Sequence, residues 1–247
     1  MTRNVFSIGD ISRLLNVPTA TLRFWEEKGL FSVGKGKNRY RRYTVHNLAE
    51  IADVMFFRNL GIPVSRVGAM GSYTLEEYAC QLQSTQLQLE EKIQAYSQMY
   101  QRAQNQLRQL EEVRRLKERG YGIENVPFQM VFPFEYQEKD KLRLYAQDPT
   151  RYVRYFDTRN ISREARGIIL PPEPDSGCPL WRKDPASRFL TFLIREKVDR
   201  GYESDVLRTL EQIQNYYGTR YLLAQYLCSA AEDGERVDYL KAYLEII

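Results

Sequence analysis

Basic side chains are concentrated in one short stretch near the amino terminus of the 247-residue chain. Arginine offers a planar guanidinium group that pairs with guanine edges or with phosphate oxygens. Each phosphate that such a group neutralises releases counterions, so a contact of this kind weakens steeply as salt is added. The stretch therefore predicts a nucleic-acid contact, and a solvated basic hairpin without a partner is the alternative. The five cations within eight residues are Lys35, Lys37, Arg39, Arg41 and Arg42.

The excess of positive charge is confined to the first part of the chain. Residues 1–70 contain 11 lysine and arginine residues against 5 aspartate and glutamate residues, a formal charge of +6. The remaining residues contain 25 against 27, a charge of −2. This asymmetry predicts that only the amino-terminal part meets a polyanion.

Two short helices with a tight turn between them precede the basic stretch. Ser7 stands three residues before Asp10, which is the spacing of a capping box, and apolar residues follow on one helical face. Pro18 interrupts this helix, and Thr19 can cap a second helix that runs to about Lys28. The pattern predicts a helix-turn-helix.

The basic stretch itself lacks helical periodicity. Glycine and asparagine residues supply turns between extended runs at 31–33 and 40–43, which predicts a β-hairpin wing. A third helix is predicted from Thr44 to Asn59, where Gly61 follows as a stop signal.

The longest predicted helix has no proline or glycine between Thr74 and Gly120, and a capping box from Thr74 to Glu77 opens it. Its apolar residues alternate at spacings of four and three, which is a heptad seam. A helix of about 45 residues would reach roughly 65 Å and cannot bury this seam alone. A second copy of the chain is the simplest partner, and packing on the carboxy-terminal part of the same chain is the alternative. The seam residues are Leu82, Leu89, Ile93, Tyr96, Tyr100, Leu107 and Leu110.

The carboxy-terminal part is predicted to be an α+β unit with a proline- and glycine-rich loop at 171–179. Strands are expected at residues 128–132, 141–145, 151–156 and 188–194, a helix at 203–217, and a closing strand pair at 221–228 and 237–246.

The stretches Phe6–Asp10, Ala20–Leu30 and Tyr40–Thr44 closely resemble the DNA-binding domain of the MerR family. The resemblance implies a winged helix-turn-helix at residues 1–73, with its second helix in the major groove, and a dimerisation coiled-coil helix at residues 74–120. One departure is Trp25, where relatives usually carry tyrosine. The DNA-contacting residues expected from the resemblance and from the basic stretch together are Thr21, Arg23, Phe24, Trp25, Lys28, Lys35, Lys37, Arg39, Tyr40, Arg41, Arg42 and Arg58.

Residues 121–247 resemble, in the order of their elements, the GyrI-like effector-binding domains of multidrug-sensing regulators. In those domains an acidic residue of the central strand often meets cationic ligands, and its place falls near Tyr226 here, which argues against cationic drugs. The remaining aromatic residues could line an apolar pocket, and ordinary core packing is the alternative. The candidate ligand-binding residues are Tyr152, Trp181, Tyr226, Tyr239, Tyr243 and Glu245.

The composition argues against several other classes of protein. Cys80, Cys178 and Cys228 are too few and too scattered for a disulfide framework, and His46 is the only histidine. No metal site and no cofactor are predicted. With no apolar run of about 18 residues and no secretory signal at the start, no membrane association and a cytoplasmic, nucleoid-associated location in a bacterium are expected.

The sequence predicts a multi-domain regulator: an all-α winged helix-turn-helix, a long coiled-coil helix and an α+β effector domain. Its partners would be double-stranded promoter DNA at a pseudo-palindromic site, RNA polymerase on the same promoter, a second copy of the chain, and a small aromatic or amphipathic effector that alters promoter shape. A ligand-independent regulator is the nearest alternative. A GyrI-like hydrolase is a remote one, because the carboxy-terminal part has no histidine and no Gly-x-Ser-x-Gly motif, so no enzyme is predicted.

Overall fold

The computed structural model describes residues 5–35, 41–160, 164–171 and 177–247. The chain divides into two units, Met1–Ser97 and Gln98–Ile247, and the division falls inside one long helix.

The amino-terminal unit is mainly helical and contains a small antiparallel sheet with strand order β1-β3-β2. Its elements are β1 (Val5–Phe6), α1 (Ile8–Leu15), α2 (Thr19–Glu27), β2 (Gly34–Lys35), β3 (Arg41–Thr44), α3 (Val45–Asn59), α4 (Val64–Met70) and the start of α5 (Leu75–Arg119).

Side-chain caps set the starts of three of these helices, α1, α3 and α5. The predicted capping box of α1 is confirmed, since Asp10 N donates to Ser7 Oγ at 3.2 Å and Ser7 N donates to Asp10 Oδ2 at 2.9 Å. The box at the start of α5 is confirmed too, because Thr74 N donates to Glu77 Oε2 at 2.8 Å. The predicted cap at Thr19 is wrong: Pro18 occupies the N-cap of α2 and Thr19 is the first helical residue.

The core of the amino-terminal unit joins the helices to the wing. Ile11, Leu22 and Ile51 of the first three helices are fully buried, as is Tyr43, and Phe31 is buried with them. The first wing strand begins at Gly34 and not at residue 31, because Phe31 and Val33 pack into this core. Helix α4 was not predicted.

The carboxy-terminal unit contains a nine-stranded antiparallel sheet in which eight strands follow the order β10-β9-β12-β11-β6-β7-β5-β8, and β4 pairs with β9. Its elements are β4 (Gly122–Ile123), β5 (Met130–Pro133), α6 (Lys139–Gln147), β6 (Tyr152–Asp157), β7 (Glu164–Ile169), β8 (Trp181–Arg182), β9 (Arg188–Lys197), β10 (Glu203–Ser204), α7 (Val206–Gln214), β11 (Thr219–Glu232) and β12 (Glu235–Ile246).

Alternate residues of β12 serve the two faces of this sheet. On one face Leu240, Ala242 and Leu244 pack with Val206 and Leu210 of α7. Two other clusters of buried residues cover the opposite face.

On that opposite face Tyr243 packs with Phe128, and Tyr239 packs with the last turns of α5 through Val113 and Leu116. The end of the long helix is therefore part of the carboxy-terminal core.

The predicted strand at 141–145 is wrong, since these residues belong to α6. Leu144 and Tyr145 of this helix pack against Phe134 and Tyr152. An apolar alternation over only five residues does not separate a period of 2 from one of 3.6. The α+β class of the unit is confirmed, and strands β4, β7, β8 and β10 were not predicted.

Among the residues with described positions, no helix has both the length and the apolar character needed to cross a membrane.

Candidate nucleic-acid interface

Helix α2 separates its residues between the core and the surface. Leu22 and Trp25 are buried in the core of the unit, whereas Arg23, Phe24 and Lys28 are exposed. The Phe24 side chain is 44% exposed, and Lys28 Nζ lies 5.7 Å from the centre of its ring. A helix with one basic, partly aromatic outer face can enter the major groove and contact bases and phosphates there.

The second wing strand is attached to this helix by an ion pair. Arg41 Nε donates to Glu26 Oε2 at 2.7 Å, and this hydrogen bond raises the pKa of the Arg41 guanidinium. Arg42, the next residue of β3, is exposed. The pair offsets the negative charge of Glu26, which would otherwise repel phosphate next to the exposed face of α2.

Tyr43 follows in the same strand with its side chain fully buried. Its hydroxyl is the one side-chain polar atom in the described part of the chain that is sealed from solvent without a hydrogen-bond partner. Burial raises the pKa of this phenol, so it remains neutral over the ordinary pH range.

Helix α3 holds the start of the wing in place through Asn47. Its Nδ2 atom donates to Ser32 O at 2.8 Å, and its Oδ1 atom accepts from Thr44 N at 3.0 Å. Sequence reasoning missed Asn47, although its spacing of three residues from Thr44 is a capping signal. At the other end of α3, Arg58 Nη1 donates to Ile62 O at 2.7 Å and so closes the following turn.

Most of the predicted DNA-contacting residues with described side chains lie on the surface. Trp25 is the exception: it is only 6% exposed and packs in the core, so its predicted contact with DNA is wrong. Thr21 is half-buried. Lys37, Arg39, Tyr40 and the side chain of Lys35 lie outside the described residues. The exposed members are Arg23, Phe24, Lys28, Arg41, Arg42 and Arg58.

The predicted seam of α5 is exposed over its middle portion. Ile93 is 64% exposed and Tyr96 is 67% exposed, and Leu82 is half-buried. Leu110 is different, because it packs with Val113 and Leu116 against the carboxy-terminal sheet. Leu110 is half-buried by these contacts within one chain, and its place in a dimer seam stays a prediction. The exposed seam residues are Leu89, Ile93, Tyr96, Tyr100 and Leu107.

Five charged groups, Glu112, Arg115, Arg119, Glu124 and Lys241, form an ion cluster where α5 meets β12. Lys241 Nζ donates to Glu112 Oε1 at 2.6 Å and to Glu124 Oε2 at 2.7 Å, and Arg115 bonds to the same two carboxylates. Burial opposes the charge of Lys241, but the two hydrogen bonds outweigh it and raise its pKa. Hydrogen bonding by Arg115 lowers the pKa of Glu112 and brings that of Glu124 to about 2.

The predicted ligand-binding residues do not form one pocket. Tyr239 and Tyr243 are buried in separate parts of the core. Tyr152 packs in a third cluster, with Phe134, and the Tyr226 hydroxyl lies 3.0 Å from Ser229 Oγ. The rings of Tyr239 and Tyr243 are used in core packing. Two members of the set, Trp181 and Glu245, line a common cavity of about 310 Å³.

Across the described ranges, no three His, Cys, Asp or Glu side chains approach one another closely enough to hold a metal ion. Cys80 and Cys178 are exposed and Cys228 is buried, and burial raises the pKa of its thiol.

The amino-terminal part of the chain is similar to known proteins. Residues 6–72 match the family model described as "MerR HTH family regulatory protein". The chain is also 33% identical over 66 residues to the Multidrug-efflux transporter 2 regulator of Bacillus subtilis (strain 168). That match covers 26% of this chain, and the chain spans about a quarter of the relative's length (24%).

Several solved structures show weaker similarity. A MerR family transcriptional regulator from Bacillus cereus is 14% identical, with a TM-score of 0.38 over 44% of this chain and 83% of that one. HiNmlR, a MerR family regulator that lacks the sensor domain and is bound to promoter DNA, is 17% identical, with a TM-score of 0.38 over 46% of this chain and 95% of that one. EcmrR in a complex with DNA is 14% identical, with a TM-score of 0.36 over 98% of this chain and all of that one. These scores are too low to support an argument about function.

Proposed function

Since residues 6–72 form a MerR-type helix-turn-helix domain, we propose that the chain is a DNA-binding transcriptional regulator that acts as a homodimer on bacterial promoters. Each protomer would place α2 in the major groove and its wing against the flanking backbone.

One observation supports the DNA contact above all: the exposed face of α2 and the strand β3 form one connected surface. Arg23 and Lys28 supply positive charge on the helix, and the bond from Arg41 to Glu26 fixes the strand beside it. A protein of this kind reaches DNA with α2 and β3 already held side by side, so little ordering entropy is lost in these two elements on binding.

The homodimer is proposed from the exposed seam of α5. The five exposed seam residues between 89 and 107 lie on the surface of one chain, and burying them against a second helix would remove this apolar area from water. Two reading heads related by a two-fold axis would then address a pseudo-palindromic site.

The regulatory step is proposed to be a change in promoter shape that follows the binding of a small aromatic or amphipathic effector to the carboxy-terminal unit. Bending and untwisting DNA costs a few kcal/mol, which a difference in effector affinity between two states can supply. RNA polymerase on the same promoter would read the altered shape in the cytoplasm.

The experiment that tests the proposal is selection of bound sequences from a random DNA pool by the purified full chain, without any effector. Arg23→Ala removes an exposed cation of α2, and Arg13→Ala, on the neighbouring helix α1, is the matched control. We expect a two-fold-symmetric site whose enrichment disappears with Arg23→Ala, persists with Arg13→Ala, and weakens with salt. An asymmetric site indifferent to Arg23, or no enriched site, would refute the proposal.

A further inference from the structure

The cavity that contains Trp181 and Glu245 lies on the carboxy-terminal sheet and has a carboxylate at its wall. Glu245, near the end of β12, is only 8% exposed, and Ser187 Oγ donates a hydrogen bond to its Oε1 atom. Its Oε2 atom accepts no hydrogen bond from any described residue. Glu245 is one of the residues that line the cavity, so a ligand there can approach its carboxylate.

Aromatic rings supply the apolar wall of this cavity. Trp181 is 6% exposed and is held by edge-on contacts with Phe128 at 5.8 Å and Phe189 at 6.1 Å between ring centres. Tyr155 and Tyr221 line another side with ring centres 5.5 Å apart. Rings fixed by packing in this way present a preformed surface to a hydrophobic or aromatic body.

Charged groups of both signs complete the lining. The guanidinium groups of Arg182 and Arg220 are exposed at the cavity, and that of Arg220 lies 4.8 Å from the centre of the Tyr221 ring. Asp184 is the second carboxylate, and its Oδ1 atom accepts from Ala186 N at 2.9 Å. Two arginines and two carboxylates leave the lining without net charge but with separated positive and negative groups.

From this arrangement we infer that the cavity binds a small zwitterion that carries an ammonium group, a carboxylate and an apolar body, as free amino acids do. The ammonium would bond to Glu245, the carboxylate to Arg182 or Arg220, and the apolar body would lie against Trp181. A simple cation would meet two guanidinium groups and a simple anion would meet Glu245, so each would leave charged groups of the lining without a partner. The volume of about 310 Å³ lies in the range of small-ligand sites.

This inference rests on the proposed function, because it names the chemical class of the effector for the proposed regulator. It predicts that selectivity comes from the pairing of both charges and not from hydrophobicity alone.

The test is titration calorimetry at pH 7 on the full chain without DNA, with four probes. L-phenylalanine and L-leucine carry both charges, phenethylamine carries only the ammonium, and 3-phenylpropionate carries only the carboxylate. We expect at least one zwitterion to bind roughly 10-fold or more tightly than either singly charged probe, since each lost charge-assisted hydrogen bond corresponds to about that factor.

Variants then test which side chains bind the two charges of the zwitterion. Glu245→Gln and the double variant Arg182→Gln/Arg220→Gln should each weaken binding of the zwitterion roughly 10-fold. Glu211→Gln, an exposed change on α7, is the matched control and should leave the affinity unaltered.

Two results would overturn the inference: no binding of either zwitterion by the folded protein, or equal affinity for a singly charged probe. The probe series on the unchanged protein decides the matter even if Glu245→Gln fails to fold. Because DNA selection is carried out without any probe, a failed inference with an intact operator site is distinguishable from failure of the proposed function.

Discussion

Arg41 and Glu26 join the wing to the helix beside it, with Arg41 Nε donating to Glu26 Oε2 at 2.7 Å across 15 positions of sequence. The side chain of Arg41 is 38% exposed and that of Glu26 is 17% exposed. The pair is thus close to solvent, where its main effect is on geometry rather than on stability.

A double-mutant cycle measures this link. For Glu26→Gln, Arg41→Gln and the double variant, we expect a coupling free energy of about 0.2–1 kcal/mol in urea unfolding, because water and salt screen a partly exposed pair. The coupling should decrease as salt is added. A coupling of zero at low salt would show that the bond does not persist in solution.

Removal of the unpartnered hydroxyl of Tyr43 should stabilise the amino-terminal unit. A buried hydroxyl without a partner is unfavourable, so Tyr43→Phe should raise the free energy of unfolding by about 1 kcal/mol or leave it unaltered. Fluorescence of Trp25, which packs in the same core, reports the transition. The control is Tyr226→Phe in the carboxy-terminal unit, where Trp181 reports unfolding. This variant loses a bonded hydroxyl and should lower the stability of that unit by about 1 kcal/mol. A loss of stability in Tyr43→Phe would reveal a partner for this hydroxyl, such as a bound water.

Charges placed on the exposed seam of α5 should separate the protomers. Burying an apolar side chain contributes about 1.5–3 kcal/mol, so Ile93→Glu/Tyr100→Glu should raise the dimer dissociation constant roughly 100-fold or more. Sedimentation equilibrium of the full chain measures this change. Gln98→Glu adds a charge off the seam and should leave the dimer intact. If the doubly substituted chain still sediments as a dimer, the seam is not the interface.

Acid should weaken the carboxy-terminal unit through the ion cluster. Glu124 has a pKa lowered from 4.5 to about 2 in the folded chain, so the unfolded chain binds this proton first as the pH falls. The stabilisation is complete above pH 4.5 and is lost as the pH falls toward about 2, with a size of no more than about 3 kcal/mol.

The measurement is urea unfolding between pH 5 and pH 2.5, with Trp181 as the sole reporter in a Trp25→Phe background. Glu124→Gln should make the pH dependence shallower in this window, and the exposed control Glu111→Gln should not. An identical pH dependence in both variants would exclude Glu124 as the titrating group.

Local signals in the sequence predicted the helices that begin with caps. Ser7 with Asp10 and Thr74 with Glu77 place donor and acceptor within one turn, so the sequence spacing alone defines the contact. The strands β9, β11 and β12 were also predicted from local sequence. Their apolar and aromatic runs are long enough to separate the strand period of 2 from the helix period of 3.6.

Other features depend on partners far away in the sequence. The short run in α6 fits either period, and its packing against Phe134 decided the outcome. Which face of α2 is buried depends on the residues that pack against it from elsewhere in the chain. Trp25 lies on the buried face, so it belongs to the core and not to the exposed face of the helix. Lys241 and Glu112 are 129 positions apart, and nothing local in either segment marks them as partners.

The ion cluster at the end of α5 has a consequence for the history of the sequence. Lys241 is only 7% exposed, and loss of either carboxylate, or of Lys241 itself, would leave a buried charge with fewer partners. Substitution at one of the five positions is thus disfavoured until another changes with it. Related chains should exchange Glu112, Arg115, Arg119, Glu124 and Lys241 as a set. The exchange would be a charge reversal or a joint replacement with apolar residues, and this covariation would mark lineages in which the long helix meets the sheet in the same way.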